Sequence, residues 1–173
     1  MAINTAIKTY KPDGANFYQV DTVQQFRLGE LGFGENNSQW EYVQNTSASV
    51  AINAFECVGY NSDYKAAAVA SSATSDAAKF RNCGWPQVKI PASNFGWVCK
   101  KASGGLKIKV AASVAANAQL FIGASAASAG VITGASSTNT VKLFGVVLVV
   151  AAGSSGTTSI EAIANYPRFG AVS

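Results

Sequence analysis

The sequence predicts an all-β fold, and three observations predict it. Apolar and polar residues alternate with a period of two in Trp40-Glu41-Tyr42-Val43, and again, strictly, in Leu106-Lys107-Ile108-Lys109-Val110. Clusters of Gly, Asn, Asp, Ser and Pro recur as turn signals between short apolar runs. Helix-forming composition is confined to one Ala-rich stretch, residues 64–80. Strands of about 5–6 residues spaced in this way leave a small sandwich, a jelly roll and a tulip-like barrel all open.

Taken in order, residues 1–25 lack sustained periodicity and carry a Pro12-Asp13-Gly14 turn signal, so an extended N-terminal arm is expected before a β-rich domain over residues 26–173. Residues 26–34 contain three glycines and end at the loop Glu35-Asn36-Asn37-Ser38. A strand follows around Trp40 and Tyr42, with Gln39, Glu41 and Val43 on its other face, and a second strand is expected over residues 50–55, with 57–60 as its extension. One short helix is expected over residues 75–81, with Gly84 as its C-terminal cap. The chain then reads as β to its end. A strand over 85–90 stops at Pro91, and a hairpin of 95–100 and 106–111 turns at Ala102-Ser103-Gly104-Gly105. Residues 119–122 form a strand, 123–139 a loop, 140–151 a long central strand and 159–164 the last strand.

Composition bounds the function. Of the 173 residues 49% are hydrophobic and only 13% charged, about half the usual charged share of roughly 25%, which excludes intrinsic disorder. The chain has no histidine, so the commonest general base, the commonest metal ligand and any Cys–His nucleophile are absent together. Three cysteines, Cys57, Cys83 and Cys99, have no C-x-x-C spacing and read as small core residues rather than a disulfide framework. The nine acidic side chains show no spacing that implies a shared metal or an acid/base pair. No phosphate-binding loop, G-x-S-x-G or calcium loop occurs. The expectation is a protein with no enzymatic activity, no cofactor and no metal.

The N-terminus is polar, without the apolar core of a secretory signal, and the longest apolar run, residues 143–152, falls short of the roughly 20 residues a membrane helix needs. A soluble protein made in the cytoplasm, with neither membrane nor nucleic acid as partner, is expected. The net charge is +4. Its one basic cluster, Lys100, Lys101, Lys107 and Lys109, reads first as the solvated edge of a hairpin and second as a basic edge meeting an acidic protein surface. Trp40, Tyr42, Trp85, Phe95 and Trp97 read first as barrel core. Their alternative reading is a stacking platform for sugar rings, as in a carbohydrate-binding or fibre module.

The segment Gly84-Trp85-Pro86-Gln87-Val88-Lys89-Ile90-Pro91-Ala92-Ser93-Asn94-Phe95-Gly96-Trp97-Val98 is the most distinctive. It resembles the G-x-P-Q-x-x-I-x-x-x-x-[FY]-G-W-V stretch of small structural proteins of tailed bacteriophages, of the capsid decoration (cement) type. Trp40-Glu41-Tyr42-Val43, the stretch from Val110 to Phe121, Gly145-Val146-Val147-Leu148 and Ile163-Ala164-Asn165-Tyr166-Pro167 agree with that group's strand motifs. The resemblance implies a β-rich, cofactor-free homotrimer on the exterior of an icosahedral capsid, clamping neighbouring major capsid proteins. On that reading the contacts come from the arm (Ile3, Ile7, Tyr10, Phe17, Tyr18), from Leu28, Leu31 and Phe33, and more weakly from Lys100, Lys101, Lys107 and Lys109.

Overall fold

The computed structural model describes residues 15–69, 82–122, 129–134 and 141–172. Among these, eleven strands form one mixed sheet. They are β1 (Val20–Asp21), β2 (Leu31–Phe33), β3 (Gln39–Asn45), β4 (Val58–Tyr60), β5 (Lys65–Ala68), β6 (Asn82–Pro86), β7 (Phe95–Val110), β8 (Leu120–Ile122), β9 (Ile132–Thr133), β10 (Val141–Leu148) and β11 (Thr158–Val172). The fold is all-β, and no helix occurs among the described residues. The helix expected over 75–81 lies outside them.

The pairings close on themselves twice. β3, β5, β4, β6 and β7 form one ring, and β7, β9, β8, β10 and β11 form a second. β7 belongs to both: residues 95–101 lie against β3, and residues 101–110 against β11. Closing a sheet in this way removes the free edges through which strands aggregate. β2 adds to β3 outside the first ring, and β1 adds to the start of β7.

β7 corrects the expected hairpin. Its 16 residues run as one strand through the supposed turn. Ser103, Gly104 and Gly105 together stand opposite Ile163, a wide bulge. The bulge is stable because its amides find partners off the ladder: Ser103 N–H donates to the Asn36 carbonyl and Gly105 N–H to Glu161 Oε1, each at 2.9 Å. Gly105 sits at φ +73°, where a side chain would be strained. A turn composition thus became a kink because a long-range partner was there to receive it. A second bulge sets Asn165, Tyr166 and Pro167 opposite Gly145.

Other boundaries moved for the same reason. Residues 50–55 make only the Ile52–Ile90 bridge, and the strand near them is β4. The strand expected over 85–90 starts at Asn82 and ends at Pro86. Gly84 is therefore a strand residue rather than a helix cap, and a Cβ there would lie 2.8 Å from the Cys99 carbonyl oxygen. The 123–139 loop contains β9, and the last strand extends to Val172.

Two apolar clusters fill the molecule. The smaller, Val43, Val58, Tyr60, Ala66 and Val98 with Ile52 and Ile90, comes from strands of the first ring. β3 is buried on both faces: Val43 joins this cluster, while Trp40 and Tyr42 join the larger one. The larger cluster continues into the second ring as an aliphatic set, including Leu106, Ile108, Val110, Leu143 and Leu148.

Candidate functional site

Part of the expected arm belongs to the core. Phe17 is 3% exposed, stacked on Trp40 at 5.1 Å between ring centroids and edge-on to Trp97 at 5.1 Å. Its slot exists because Gly32 has no side chain; a Cβ there would lie 2.3 Å from the Phe17 ring. Val20 and Asp21 pair with β7, and the Asp21 carboxylate accepts the Tyr42 hydroxyl at 2.6 Å. Residues 15–21 are thus tied to the sheet, and Phe17 is not free to touch a partner. Tyr18 stands exposed beside it. Ile3, Ile7 and Tyr10 lie outside the described residues. Leu28 and Leu31 are half-buried, Leu28 against the larger cluster, and Phe33 is exposed on β2.

The four lysines separate by partner. Lys100 pairs with Glu41, which also accepts the Tyr60 hydroxyl, so a cation, a carboxylate and a phenol share one largely buried site. Burial, and then the Glu41 charge, push the Tyr60 hydroxyl far above its ordinary pKa. Lys109 pairs with Glu56 at 3.0 Å, and Glu56 also accepts the backbone and side-chain amides of Asn53 at 2.9 Å. Lys100 and Lys109 are therefore structural cations. Lys107 is exposed, with its backbone held by the Gln87 amide at 2.9 and 3.0 Å. Lys101 is half-buried, its ammonium 5.4 Å from the centre of the Tyr166 ring.

The tryptophans weighed as a sugar platform are interior: Trp40, Trp85 and Trp97 are all buried, and Phe95 is half-buried. A cleft of about 210 Å³ beside Tyr18, Asn36 and Gln87 reaches down to Trp40, with Tyr18 as its one exposed ring among the described residues. The cysteines are free and buried. Burial pushes the Cys99 thiol up to about 12, and burial, with a hydrogen bond that Cys83 donates to Cys57, pushes Cys83 well up, so both are thiols rather than nucleophilic thiolates at neutral pH. Among the described residues no three His, Cys, Asp or Glu side chains gather as a metal site would require.

The candidate functional site is instead an exposed apolar face on the outside of the second ring. Of the ten large apolar side chains exposed among the described residues, six fall here: Phe144, Val147, Val149, Val150, Ile163 and Tyr166. Val147 and Ile163 face each other across β10 and β11, 40% and 41% exposed. They line a shallow depression with Phe144, Gly145, Asn117 and Asn165. The alternation that exposes them buries Val146, Leu148, Ala162 and Ala164 on the other side. Phe144 lies across Gly170, where a Cβ would be 2.5 Å from its ring.

Sequence reading missed these residues. The run from Leu143 to Ala152 reads as a buried strand, yet Val147, Val149 and Val150 stand in solvent. A non-alternating apolar strand signals that both faces are destined for cover, but not what covers the second one. No protein-family model matches the chain, and no curated protein matches it.

Proposed function

We propose that the chain is a structural virion protein that decorates and stabilises an icosahedral phage capsid by binding neighbouring major capsid proteins on the capsid exterior. The observation that carries this reading is the β10–β11 face. A body whose sheet closes twice and whose tryptophans are interior still leaves apolar side chains gathered in the open on β10 and β11, and such patches mark protein contacts. The motif resemblance over residues 84–98 supplies the class of partner. The two pairing rings favour the small-barrel form of the expected architecture, a stiff unit suited to bracing a shell. Residues 1–14, with Ile3, Ile7 and Tyr10, are the proposed arm, and a homotrimer is the proposed oligomer, so weak contacts multiply through repeated copies. The buried tryptophans leave the glycan-binding alternative without its platform.

Co-sedimentation with expanded, undecorated capsids of the parent phage tests the reading. Saturable binding at a copy number commensurate with icosahedral sites is expected, and removal of residues 1–14 weakens it. Absence of binding by the intact chain would sink it.

A further inference from the structure

We infer that the β10–β11 face docks onto an acidic protein surface that presents an apolar ridge, the ridge filling the Val147–Ile163 depression and the acidic groups meeting a basic rim. The inference rests on the capsid reading and names the chemistry of its partner.

The rim is read directly from the aromatic contacts. Lys142 Nζ lies 5.0 Å and Arg168 Cζ 6.0 Å from the centre of the Phe144 ring. At the other end Lys101 Nζ lies 5.4 Å from the Tyr166 ring. Lys100 is also close to Tyr166, at 5.7 Å, but its charge is spent on Glu41. The carboxylate in this neighbourhood, Glu161, accepts from Gly105 N–H and stands opposite Lys107 across the β7–β11 ladder. Among the described residues Lys101, Lys107, Lys142 and Arg168 therefore outnumber this acid, and the surface presents positive charge around an apolar middle.

Each part of that arrangement is held in place. Tyr166 adopts φ +48°, a left-handed conformation unusual for a bulky residue, and its hydroxyl donates to Gln39 Oε1 at 2.6 Å. The bulge that forces this conformation opposes Gly145, which sits at φ +76° with Asn165 O 2.7 Å from where its Cβ would be. Cations resting over aromatic rings lose less freedom on binding than free lysines do. The exposed rings and their cations are thus preorganised.

The same pattern decides among occupants. A two-fold contact between copies would lay this face on itself, and with cations at both its Phe144 and its Tyr166 end, one basic end would meet another, so a second copy paired in that way is disfavoured by like charge. A nucleic acid would engage the cations but leave Val147, Val149, Val150 and Ile163 without apolar cover, since aliphatic side chains offer no stacking platform. An acidic protein surface satisfies both the centre and the rim.

The test uses the intact chain and expanded capsids at two salt concentrations. Val147→Ser with Ile163→Ser is expected to weaken binding by about tenfold or more through lost apolar contact. Lys142→Glu with Arg168→Glu is expected to weaken it mainly at low salt and to flatten its salt dependence. Val50→Ser, an exposed side chain after β3 that belongs to no proposed contact, is the control and leaves binding unchanged. Circular dichroism and melting of each variant show that the fold is kept; if the serine pair does not fold, Val147→Thr alone takes its place. Wild-type binding with all face variants unaffected overturns the docking face and leaves the capsid reading standing. Retained salt dependence in the charge-reversed pair overturns the acidic partner. A change in the oligomeric state of the face variants, or their loss of binding to free duplex DNA that the wild type bound, reassigns the face to a second copy or to nucleic acid. Failure of the wild type to bind capsids overturns both readings.

Discussion

The two rings share a strand and differ in nearly everything else. The first is filled from inside and covered from outside: Val43, Tyr60 and the Glu41–Lys100 pair belong to its strands, while Phe17 and Phe26 lie against Trp40, Tyr42 and Trp97 and Leu28 packs on the same cluster. The second has an aliphatic interior and, on β10 and β11, a bare apolar exterior. The difference teaches where stability and where recognition reside. In the first ring the chain's own residues 15–34 supply the cover. On the second ring no described segment does, and it is there that the proposed docking face lies.

The comparison breaks most readily on the first ring. Trp97→Ala removes a side chain that is 1% exposed and touches Phe17, Phe26 and Tyr42. A loss of about 3–5 kcal/mol in urea unfolding is expected. Glu41→Ala strands the Lys100 ammonium and the Tyr60 hydroxyl in a largely buried site. It should cost about 3 kcal/mol, whereas Glu41→Gln combined with Lys100→Met should cost less, because the uncompensated charge is gone. A double-mutant cycle over these two positions measures that difference.

Alkaline titration sharpens the contrast next. Burial raises the Cys99 thiol from its ordinary 9.0 to about 12, and raises Tyr42, Tyr60 and Cys83 as well, and all four belong to the first ring and its cover. Between those limits the folded state holds a proton at Cys99 that the unfolded state has released. The stabilisation is thus fully present below about pH 9 and is lost progressively towards about pH 12. The slope is up to about 1.4 kcal/mol per pH unit for each such group. Urea midpoints measured across this window should fall, and Cys99→Ala should reduce the slope. A flat profile would mean that these groups are not shielded as the first ring requires.

Smaller effects belong to the second ring. Gly145→Ala places a methyl group against the Asn165 carbonyl at a positive φ, and a loss of about 1–2 kcal/mol is expected. Val147→Ser should change stability by no more than about 0.5 kcal/mol, since the side chain is 40% exposed. If Val147→Ser cost as much as Trp97→Ala, the separation of a stabilising ring from a recognising one would collapse.

Much of the first ring was legible in the sequence. Alternation placed β3 and the large aromatics read as core; in the half of β7 that serves the second ring, Leu106-Lys107-Ile108-Lys109-Val110 likewise keeps its apolar residues in and Lys107 out. What escaped was long-range. The Ala102–Gly105 composition is that of a turn until Asn36 and Glu161 take up its amides. The partners of Lys100 and Lys109 lie 59 and 53 residues away, so their local spacing gave no hint that these cations were already paired. Phe17 looked like part of a free arm because the slot it fills depends on Gly32 and on Trp40 and Trp97 of two other strands. The apolar face escaped because periodicity cannot separate cover supplied by the chain from cover supplied by another molecule.

The sharing of β7 also has a consequence for the nascent chain. Every pairing of the first ring involves residues no later than Lys101, so that ring can close on the ribosome-bound chain. The second ring must wait for β11, which at about 5–20 residues per second arrives several seconds later. Until then the far half of β7 is a raw edge bearing Leu106, Ile108 and Val110. Lys107 and Lys109, placed between them, act over that interval as gatekeepers against pairing with the wrong strand.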